Sequence, residues 1–173
     1  MNAQANKKGF TIIEVVLVLA IAGLIFLMVF VALPALQRNQ RDTARKNDMS
    51  RLVTAVQNYS SANRNNIPTN TTAGWQSFVN QYLTTGGDTF LDPSGRNTAQ
   101  AASVNTYVIT PTAAGTLTAG FSSSGTSPTQ NVIYATPSTT CSTSNAAATT
   151  SAGSRKVSFR MALEGGGYNC VNN

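Results

Sequence analysis

The sequence predicts an α+β fold, in which one long N-terminal helix packs through its second half on a C-terminal antiparallel β-sheet. Three observations support this prediction. No residue from Val15 to Leu36 is charged, apolar residues recur at helical spacing in the segment that follows, and the last part of the chain holds short apolar runs separated by turn residues. Charged residues make up only 10% of the 173 residues. The chain therefore joins an apolar segment to a polar domain that carries few charges.

The apolar run over residues 10–36 is long enough to cross a membrane. As a helix it would measure roughly 40 Å, against a hydrocarbon core of about 30 Å. Glu14 is the one ionisable residue in this run. A charged group in a membrane helix is costly, and such groups usually have a function. We therefore expect a transmembrane segment at residues 10–36, with Glu14 as a candidate functional residue.

The helix is expected to continue beyond the membrane. Four apolar residues share one helical face in its second half, namely Leu52, Val53, Val56 and Tyr59. Since no strong helix breaker follows Pro34 for many residues, we predict one helix over residues 10–63, roughly 80 Å long. The remaining residues, 64–173, are expected to form a globular domain.

Two residues are expected to weaken this helix. Pro34 lacks a backbone N–H and crowds the preceding turn, and Gly23 is a second, weaker break. The segment between them could unwind partly when such helices pack together. Pro34 could equally be a kink that the helix tolerates.

The globular domain should contain a short helix and several strands. The helix is predicted in GWQSFVNQYL, and FLDPSG has the residues of a type I turn. Asp88 and Asp92 are interpreted as loop and turn residues, because no base or metal ligand accompanies them. A glycine-rich hairpin at Glu164–Gly167 is expected to join the last two strands. The strands are predicted in NTYVITP, GTLTAGF, NVIYATP, RKVSFRMAL and GYNCVN.

The side chains do not suggest catalysis. Histidine is absent, which removes the commonest general base and the commonest metal ligand. No arrangement of acids, nucleophiles or glycines matches a catalytic or cofactor-binding motif. We expect a protein that is not an enzyme and needs no cofactor or metal.

The formal net charge of +6 permits contact with DNA or another anionic surface. Arg155, Lys156 and Arg160 are the candidates for phosphate contacts. No dense basic run with interleaved aromatic residues occurs, however. A solvated surface with some subunit-pairing arginines is therefore the favoured interpretation.

Cys141 and Cys170 are the two cysteines of the chain. Both lie beyond the apolar segment, where an exported location would oxidise them. They could form one disulfide or remain as two free thiols. If bonded, they would close a loop whose chain entropy corresponds to about 3.6 kcal/mol of stabilisation.

The leader, residues 1–9, is short, polar and basic, and it ends in glycine: MNAQANKKG. An ordinary secretory signal would have a shorter apolar core of about 7 to 15 residues before its cleavage site. A plain membrane anchor would leave Glu14 unexplained. The sequence GFTIIEV, followed by an uninterrupted apolar helix, resembles the class III signal peptide of type IV prepilins.

The resemblance implies specific roles for three residues. Prepilin peptidase would cut between Gly9 and Phe10 and would N-methylate Phe10. Glu14, then the fifth residue of the mature chain, would pair with the Phe10 amine of a neighbouring subunit. The physical argument agrees, because the new amine lies at the positive end of the helix dipole, one turn from Glu14. A buried charge that meets its partner in one axial register can align packed helices.

The resemblance also bears on the fold. A long helix on a C-terminal sheet is the pilin fold, and type IV pilins commonly fasten their C-terminal segment with a disulfide, which implies a Cys141–Cys170 bond here. Type IV pilins have a glycine that matches Gly23. Their proline commonly lies three residues before Pro34, so that match is displaced.

By this resemblance the chain is a structural subunit of a type IV pilus-like filament. It would be a single-pass protein of the inner or cytoplasmic membrane before assembly, and part of an extracellular pilus at the cell surface afterwards. Its partners would be copies of itself, other pilins, prepilin peptidase, and the pilus assembly platform and motor. Filaments of this kind serve cell adhesion and motility. The alternatives are a pseudopilin of a type II secretion system, a DNA-uptake competence pilin, or a membrane-anchored adhesin that does not polymerise.

Basic residues flank both ends of the apolar segment. Lys7 and Lys8 precede it, and four basic residues follow it: Arg38, Arg41, Arg45 and Lys46. Counting lysine and arginine would place the C-terminal side in the cytoplasm. The prepilin-like leader implies the opposite orientation, which we adopt. The excess of cations beyond the apolar segment then needs another explanation.

Overall fold

The computed structural model describes residues 9–85, 88–93, 107–112, 132–142 and 149–173. The chain divides into two compact units. We call Met1–Gln37 the apolar unit and Arg38–Asn173 the globular unit. The strand predicted in GTLTAGF lies outside the described residues.

The first helix, α1, runs without interruption over Ile12–Ala62. Its second half contributes to the core of the globular unit, where Met49, Leu52 and Val56 have no exposed surface. Val53 and Tyr59 are partly buried against the same core. The apolar face predicted for this half is confirmed.

Helix α1 ends in a left-handed turn. Arg64 and Asn65 have φ angles of 54° and 65°, a conformation that halts an α-helix. The Asn65 N–H donates to the carbonyl of Ser60 at 2.8 Å, which satisfies one of the last helical carbonyls. Pro68 follows shortly afterwards and prevents the helix from resuming.

The second helix, α2, spans Thr72–Tyr82. The Thr71 hydroxyl accepts a hydrogen bond from the Gly74 N–H at 3.0 Å and caps the helix. Glycine is required at position 74, because a Cβ atom would lie 2.4 Å from the Thr69 carbonyl oxygen. Trp75 and Phe78 point into the core, where their rings meet edge to face with centroids 5.8 Å apart. The short helix is therefore confirmed, with its aromatic residues on the buried face.

Six strands follow among the described residues: β1 (Val108–Pro111), β2 (Val132–Pro137), β3 (Thr139–Cys141), β4 (Thr149–Ser151), β5 (Val157–Ala162) and β6 (Tyr168–Asn172). Four of them form a sheet in the order β1-β2-β5-β6, and β3 pairs with β4 in a separate antiparallel ribbon. The α+β class with a long N-terminal helix and a C-terminal sheet is confirmed. The threonine-rich ribbon lies in a segment whose Ser, Thr and Ala composition leaves a flexible loop, a glycosylated surface and polar strands all open, because its short strands carry little apolar periodicity.

Strands β1 and β2 pair in parallel, with Val108 opposite Val132. The other two pairings of the main sheet are antiparallel. A parallel pair needs a crossover connection of about a dozen residues or more, and residues 112–131 supply that length. The prediction of an antiparallel sheet therefore holds for β2, β5 and β6, and β1 is an exception at one edge.

Strand β5 is buried on both faces. Val157, Phe159 and Met161 lie in the apolar core. The alternate residues Ser158 and Arg160 are also buried. The Ser158 hydroxyl is 2.6 Å from that of Thr139 on β3, so the ribbon covers part of this second face.

Candidate functional site

The apolar unit exposes nearly all of its hydrophobic side chains. Phe10 is 91% exposed and Phe30 is 73% exposed. Helix α1 contains a window long and apolar enough to cross a membrane, with a mean hydropathy of 3.2 and none of it buried. Such a surface needs lipid or other apolar helices around it. The unit is therefore a candidate membrane and helix-packing segment.

Residues 9–11 precede the helix and adopt no regular structure. Both Gly9 and Phe10 are exposed, and a Cβ atom at Gly9 would meet nothing within 4 Å. The Gly9–Phe10 peptide bond is thus accessible in the structure. Cleavage at this bond and methylation of Phe10 remain predictions.

Glu14 forms a capping box with Thr11 at the start of α1. The Thr11 N–H donates to Glu14 Oε2 at 2.9 Å, and the Thr11 hydroxyl donates to the same oxygen at 2.8 Å. The Glu14 N–H faces the Thr11 hydroxyl oxygen at 3.4 Å. Among the described residues, Glu14 Oε1 has no hydrogen-bond partner. The carboxylate is therefore held in place by one oxygen and can accept a further donor on the other.

The two residues expected to weaken α1 both lie within its helical span. Gly23 and Pro34 fall inside Ile12–Ala62, and the helix assignment does not break at either residue. A Cβ atom at Gly23 would meet nothing within 4 Å, so the glycine is not required by packing within one chain. Whether this segment unwinds when helices pack together stays a prediction.

The second half of α1 carries a buried ionic cluster, which we call the Arg45 cluster: Arg41, Asp42, Arg45, Asp92 and Glu164. Arg45 is at its centre and its side chain has no exposed surface. Its guanidinium donates to Asp92 at 2.7 and 2.9 Å, to Asp42 at 2.9 Å and to Glu164 at 2.8 Å. Three carboxylates at one point could suggest a metal site, but here the guanidinium occupies their centre.

The Arg45 cluster changes the protonation behaviour of its members. Hydrogen bonds from Arg41 and Arg45 hold the pKa of Glu164 below its ordinary value, although burial opposes this. Burial alone would lower the pKa of Arg45, but its hydrogen bonds to Asp92 and Glu164 raise it instead. Both shifts favour the charged forms of Glu164 and Arg45.

The turn between β5 and β6 completes this cluster through its backbone. The N–H groups of Glu164 and Gly165 donate to the two oxygens of Asp42 at 2.8 and 2.7 Å. A Cβ atom at Gly165 would lie 3.1 Å from Asp42 Oδ2, so glycine allows the close approach. Gly166 and Gly167 have φ angles of 95° and 81°, which glycine adopts without strain. The glycine-rich hairpin is thus shaped to bind the helix carboxylate.

A second polar contact joins α1 to the start of β1. The Tyr107 hydroxyl donates to Asp48 at 3.0 Å, and Arg51 lies 3.3 Å from the same carboxylate. Burial raises the pKa of Asp48 above its ordinary value, and the Tyr107 and Arg51 contacts only partly oppose this. Burial also raises the pKa of Tyr107.

A family model described as the prokaryotic N-terminal methylation motif matches residues 4–30. The N-terminus is a prepilin-like class III signal peptide. No curated protein and no solved structure matched the chain. The prepilin assignment therefore comes from the leader and the first part of α1. The coordinates show an α+β fold that is consistent with the fold of pilins. The methylation motif supports membrane anchoring before assembly and a structural role. It also supports assembly with other pilins after processing by prepilin peptidase.

The two cysteines of this pilin-like chain are bonded to each other. The Cys141–Cys170 disulfide has a Cα–Cα distance of 5.8 Å and joins β3 of the ribbon to β6 of the main sheet. It thereby ties the C-terminal strand to the ribbon, as the resemblance implied.

The structure corrects two interpretations of charged residues. Asp92 is not a simple turn residue, because its buried carboxylate binds Arg45. Arg160 is 1% exposed and donates to the Thr136 hydroxyl at 3.0 Å. It therefore does not lie on a surface where DNA could reach it. Only Arg155 and Lys156 of the three proposed phosphate contacts are exposed.

Sequence reasoning missed the partners of Arg41 and Arg45. Both were counted with the cations that follow the membrane segment, and two of their three acids, Asp92 and Glu164, lie far along the chain. The available signal was the scarcity of acids, since only six Asp and Glu residues occur in the chain. With so few, an acid in a turn or hairpin is a candidate ion-pair partner for a helix arginine.

Proposed function

We propose that this chain is the structural subunit of a type IV pilus-like filament. The observation that carries the proposal is the half-occupied carboxylate of Glu14, near the start of an exposed apolar helix that bears the methylation motif. In lipid this carboxylate is costly. A neighbouring helix that places an amine beside Glu14 at the same level along the helix axis would offset the cost of the charge in lipid.

The mature chain in this proposal begins at Phe10, after removal of residues 1–9. Residues 10–36 hold the subunit in the membrane and later pack in the filament core. Cleavage places a cationic amine at Phe10, next to the Thr11–Glu14 capping box. Glu14 then keeps its Thr11 hydrogen bonds through Oε2 and accepts the amine of a neighbour through Oε1. The remainder of the helix supports the surface domain over residues 64–173.

The globular unit contains features that suit a surface subunit. The Arg45 cluster and the Cys141–Cys170 bond fasten the C-terminal hairpin and the ribbon within one chain. The charged side chains of the Arg45 cluster are thus paired with each other inside one subunit. This supports a protein whose activity is assembly, and no catalytic role is proposed.

The rival roles share the prepilin leader. A pseudopilin would serve a type II secretion system, a competence pilin would bind DNA, and an adhesin would remain in the membrane unpolymerised. The burial of Arg160 weakens the DNA interpretation, because it leaves only Arg155 and Lys156 exposed among the three candidate phosphate contacts.

N-terminal mass analysis of the protein from its native host, combined with electron microscopy using an antibody to this chain, tests the proposal. We expect a mature start at N-methylated Phe10 and labelled filaments on the cell surface. A mature start beyond Pro34 would contradict the prepilin interpretation. Correct processing with label confined to the membrane would support the adhesin instead.

A further inference from the structure

Three arginines lie on one side of α1 just beyond the apolar segment: Arg38, Arg41 and Arg45. They differ in burial and in the number of their ion pairs. Arg45 is fully buried among three carboxylates. Arg41 donates to Glu164 at 2.6 Å and its side chain is 30% exposed. Arg38 is exposed and has no hydrogen bond or ion pair with any described residue. Arg38 is therefore the cation of this group that lacks a partner among the residues the structure describes.

The acids of the globular unit offer Arg38 little. This unit holds five of the six Asp and Glu residues in the sequence, and each is ion-paired within the chain: Asp42, Asp48, Asp88, Asp92 and Glu164. Asp88 is the most exposed, at 77% of its side chain, yet it already lies 3.5 Å from Arg51. The globular unit of a second copy would meet Arg38 with acids that are already ion-paired. An anion from outside the chain is therefore the candidate partner of Arg38.

The position of Arg38 indicates which anion this is. It follows Leu36, the last residue of the uncharged run, by two residues, or about 3 Å along a helix. That places it beside the lipid headgroups when the apolar segment spans a membrane. Lys46, the next free cation on α1, is about 12 Å further along the helix. Arginine binds phosphate oxygens through two parallel N–H bonds, which suits a headgroup phosphate.

We propose that Arg38 binds the phosphate of lipid headgroups on the globular side of the membrane and so sets the depth of the subunit before assembly. This proposal depends on membrane anchoring and not on polymerisation. It also gives the excess of basic residues after the apolar segment a physical account. Arg41 and Arg45 form ion pairs inside the globular unit, and Arg38 binds phosphate at the lipid surface.

Solid-state nuclear magnetic resonance on the full mature chain tests the contact directly. The chain would carry ¹³C at the arginine guanidinium carbon, in vesicles of phosphatidylethanolamine and phosphatidylglycerol and in phosphate-free buffer. Dephasing of the guanidinium signal by ³¹P reports an arginine next to a phosphate. The variants are Arg38→Gln and the matched control Arg155→Gln, which removes an exposed arginine far from the apolar segment. An unchanged circular dichroism spectrum and an intact disulfide would show that each variant is folded.

We expect dephasing in the unmodified chain and in Arg155→Gln, and its loss in Arg38→Gln. Equal dephasing in Arg38→Gln and the unmodified chain would overturn the proposal. So would dephasing that appears only after inorganic phosphate is added, because the partner would then be a free anion. Absence of dephasing in the unmodified chain would overturn it as well, and if Arg38→Gln then reduces crosslinking between copies, the partner is another subunit.

Discussion

Helix α1 has an acidic residue in each half whose hydrogen bonding differs: Glu14 in the first half and Asp42 in the second. In the second half, Asp42 accepts two backbone N–H groups of the hairpin turn and a bond from Arg45. In the first half, Glu14 has Thr11 as its one partner among the described residues. One acid is fully satisfied inside the chain, and the other is left with an open oxygen in apolar surroundings.

This difference separates what holds one subunit together from what could join several. A buried ion pair contributes little net stability, but removal of one member is costly because the other charge stays buried. Asp42 and Arg45 therefore act within the chain to fix the hairpin on the helix. Glu14 can reach the same state only with a donor from elsewhere. We therefore expect the Arg45 cluster to determine stability, and we propose that Glu14 determines assembly.

Replacement of Arg45 by Met should have the largest effect on the stability of one subunit. It removes the cation from the centre of three carboxylates, of which Glu164 alone keeps a second arginine, Arg41, and this costs about 3–5 kcal/mol of unfolding free energy. Trp75 is the one tryptophan and is fully buried, so its fluorescence reports denaturant unfolding of the full chain in detergent micelles. Arg38→Met, at an exposed position, should change the value by less than about 0.5 kcal/mol. Equal values for both variants would show that the cluster is not a stability determinant.

Removal of the disulfide by Cys141→Ser with Cys170→Ser should cost about 3.6 kcal/mol, from the chain entropy of the closed loop. The same unfolding assay measures it. Reduction of the unmodified chain should give a matching loss, which separates the bond itself from any effect of the serines. A loss below about 1 kcal/mol would mean that the ribbon and β6 stay joined without it.

Gly165→Ala should cost about 1–2 kcal/mol, because the new Cβ would press on Asp42 Oδ2 at 3.1 Å. Gly153→Ala is the control, since a Cβ atom there meets nothing within 4 Å. It should be neutral or stabilise by about 0.4–1 kcal/mol through the unfolded chain. If both alanines behave alike, the turn can move away from Asp42 and the close approach is not required.

The smallest expected effect is on pH dependence. The pKa of Glu164 is lowered from 4.5 in the folded chain. Its contribution to stability is therefore present above pH 4.5 and is lost as the pH falls through the folded-state value. Asp48 has a raised pKa and opposes this trend, since its contribution is present at low pH and is lost as the pH rises through its folded-state value. Unfolding curves between pH 6 and pH 3 should show a shallower acid loss for Glu164→Gln and a steeper one for Asp48→Asn.

The sequence predicts the long helix, its apolar face and the short second helix well, because periodicity is a local property. The motif around Glu14 is equally local, so the leader and Glu14 could be identified from the sequence. The Thr11–Glu14 capping box was not predicted, although its T-x-x-E spacing is a local signature. The cluster could not, because Arg45 meets Asp92 and Glu164 only after the chain folds. The parallel pairing of β1 with β2 is also non-local. The apolar pattern of a strand is the same whether its neighbour runs parallel or antiparallel, so the sequence around Val108 and Val132 does not give the direction of pairing.

The central claim is that Glu14 serves contacts between subunits, and Glu14→Gln tests it most directly. Gln keeps the shape and removes the charge, so insertion and cleavage after Gly9 should be normal. The amine of a neighbouring Phe10 would then enter an apolar bundle without a counter-charge, at a cost of about 3–5 kcal/mol. Thr11→Val is the matched variant, because it removes the cap, worth about 1 kcal/mol, and leaves the carboxylate.

The decisive measurement is the number of filaments per mature subunit in the membrane, counted by electron microscopy and immunoblot in the native host. Glu14→Gln should lower this ratio at least about a hundredfold, the factor that 3 kcal/mol implies. Thr11→Val should lower it by less than about tenfold. A Glu14→Gln chain that is cleaved and still builds filaments at the normal ratio would contradict the account.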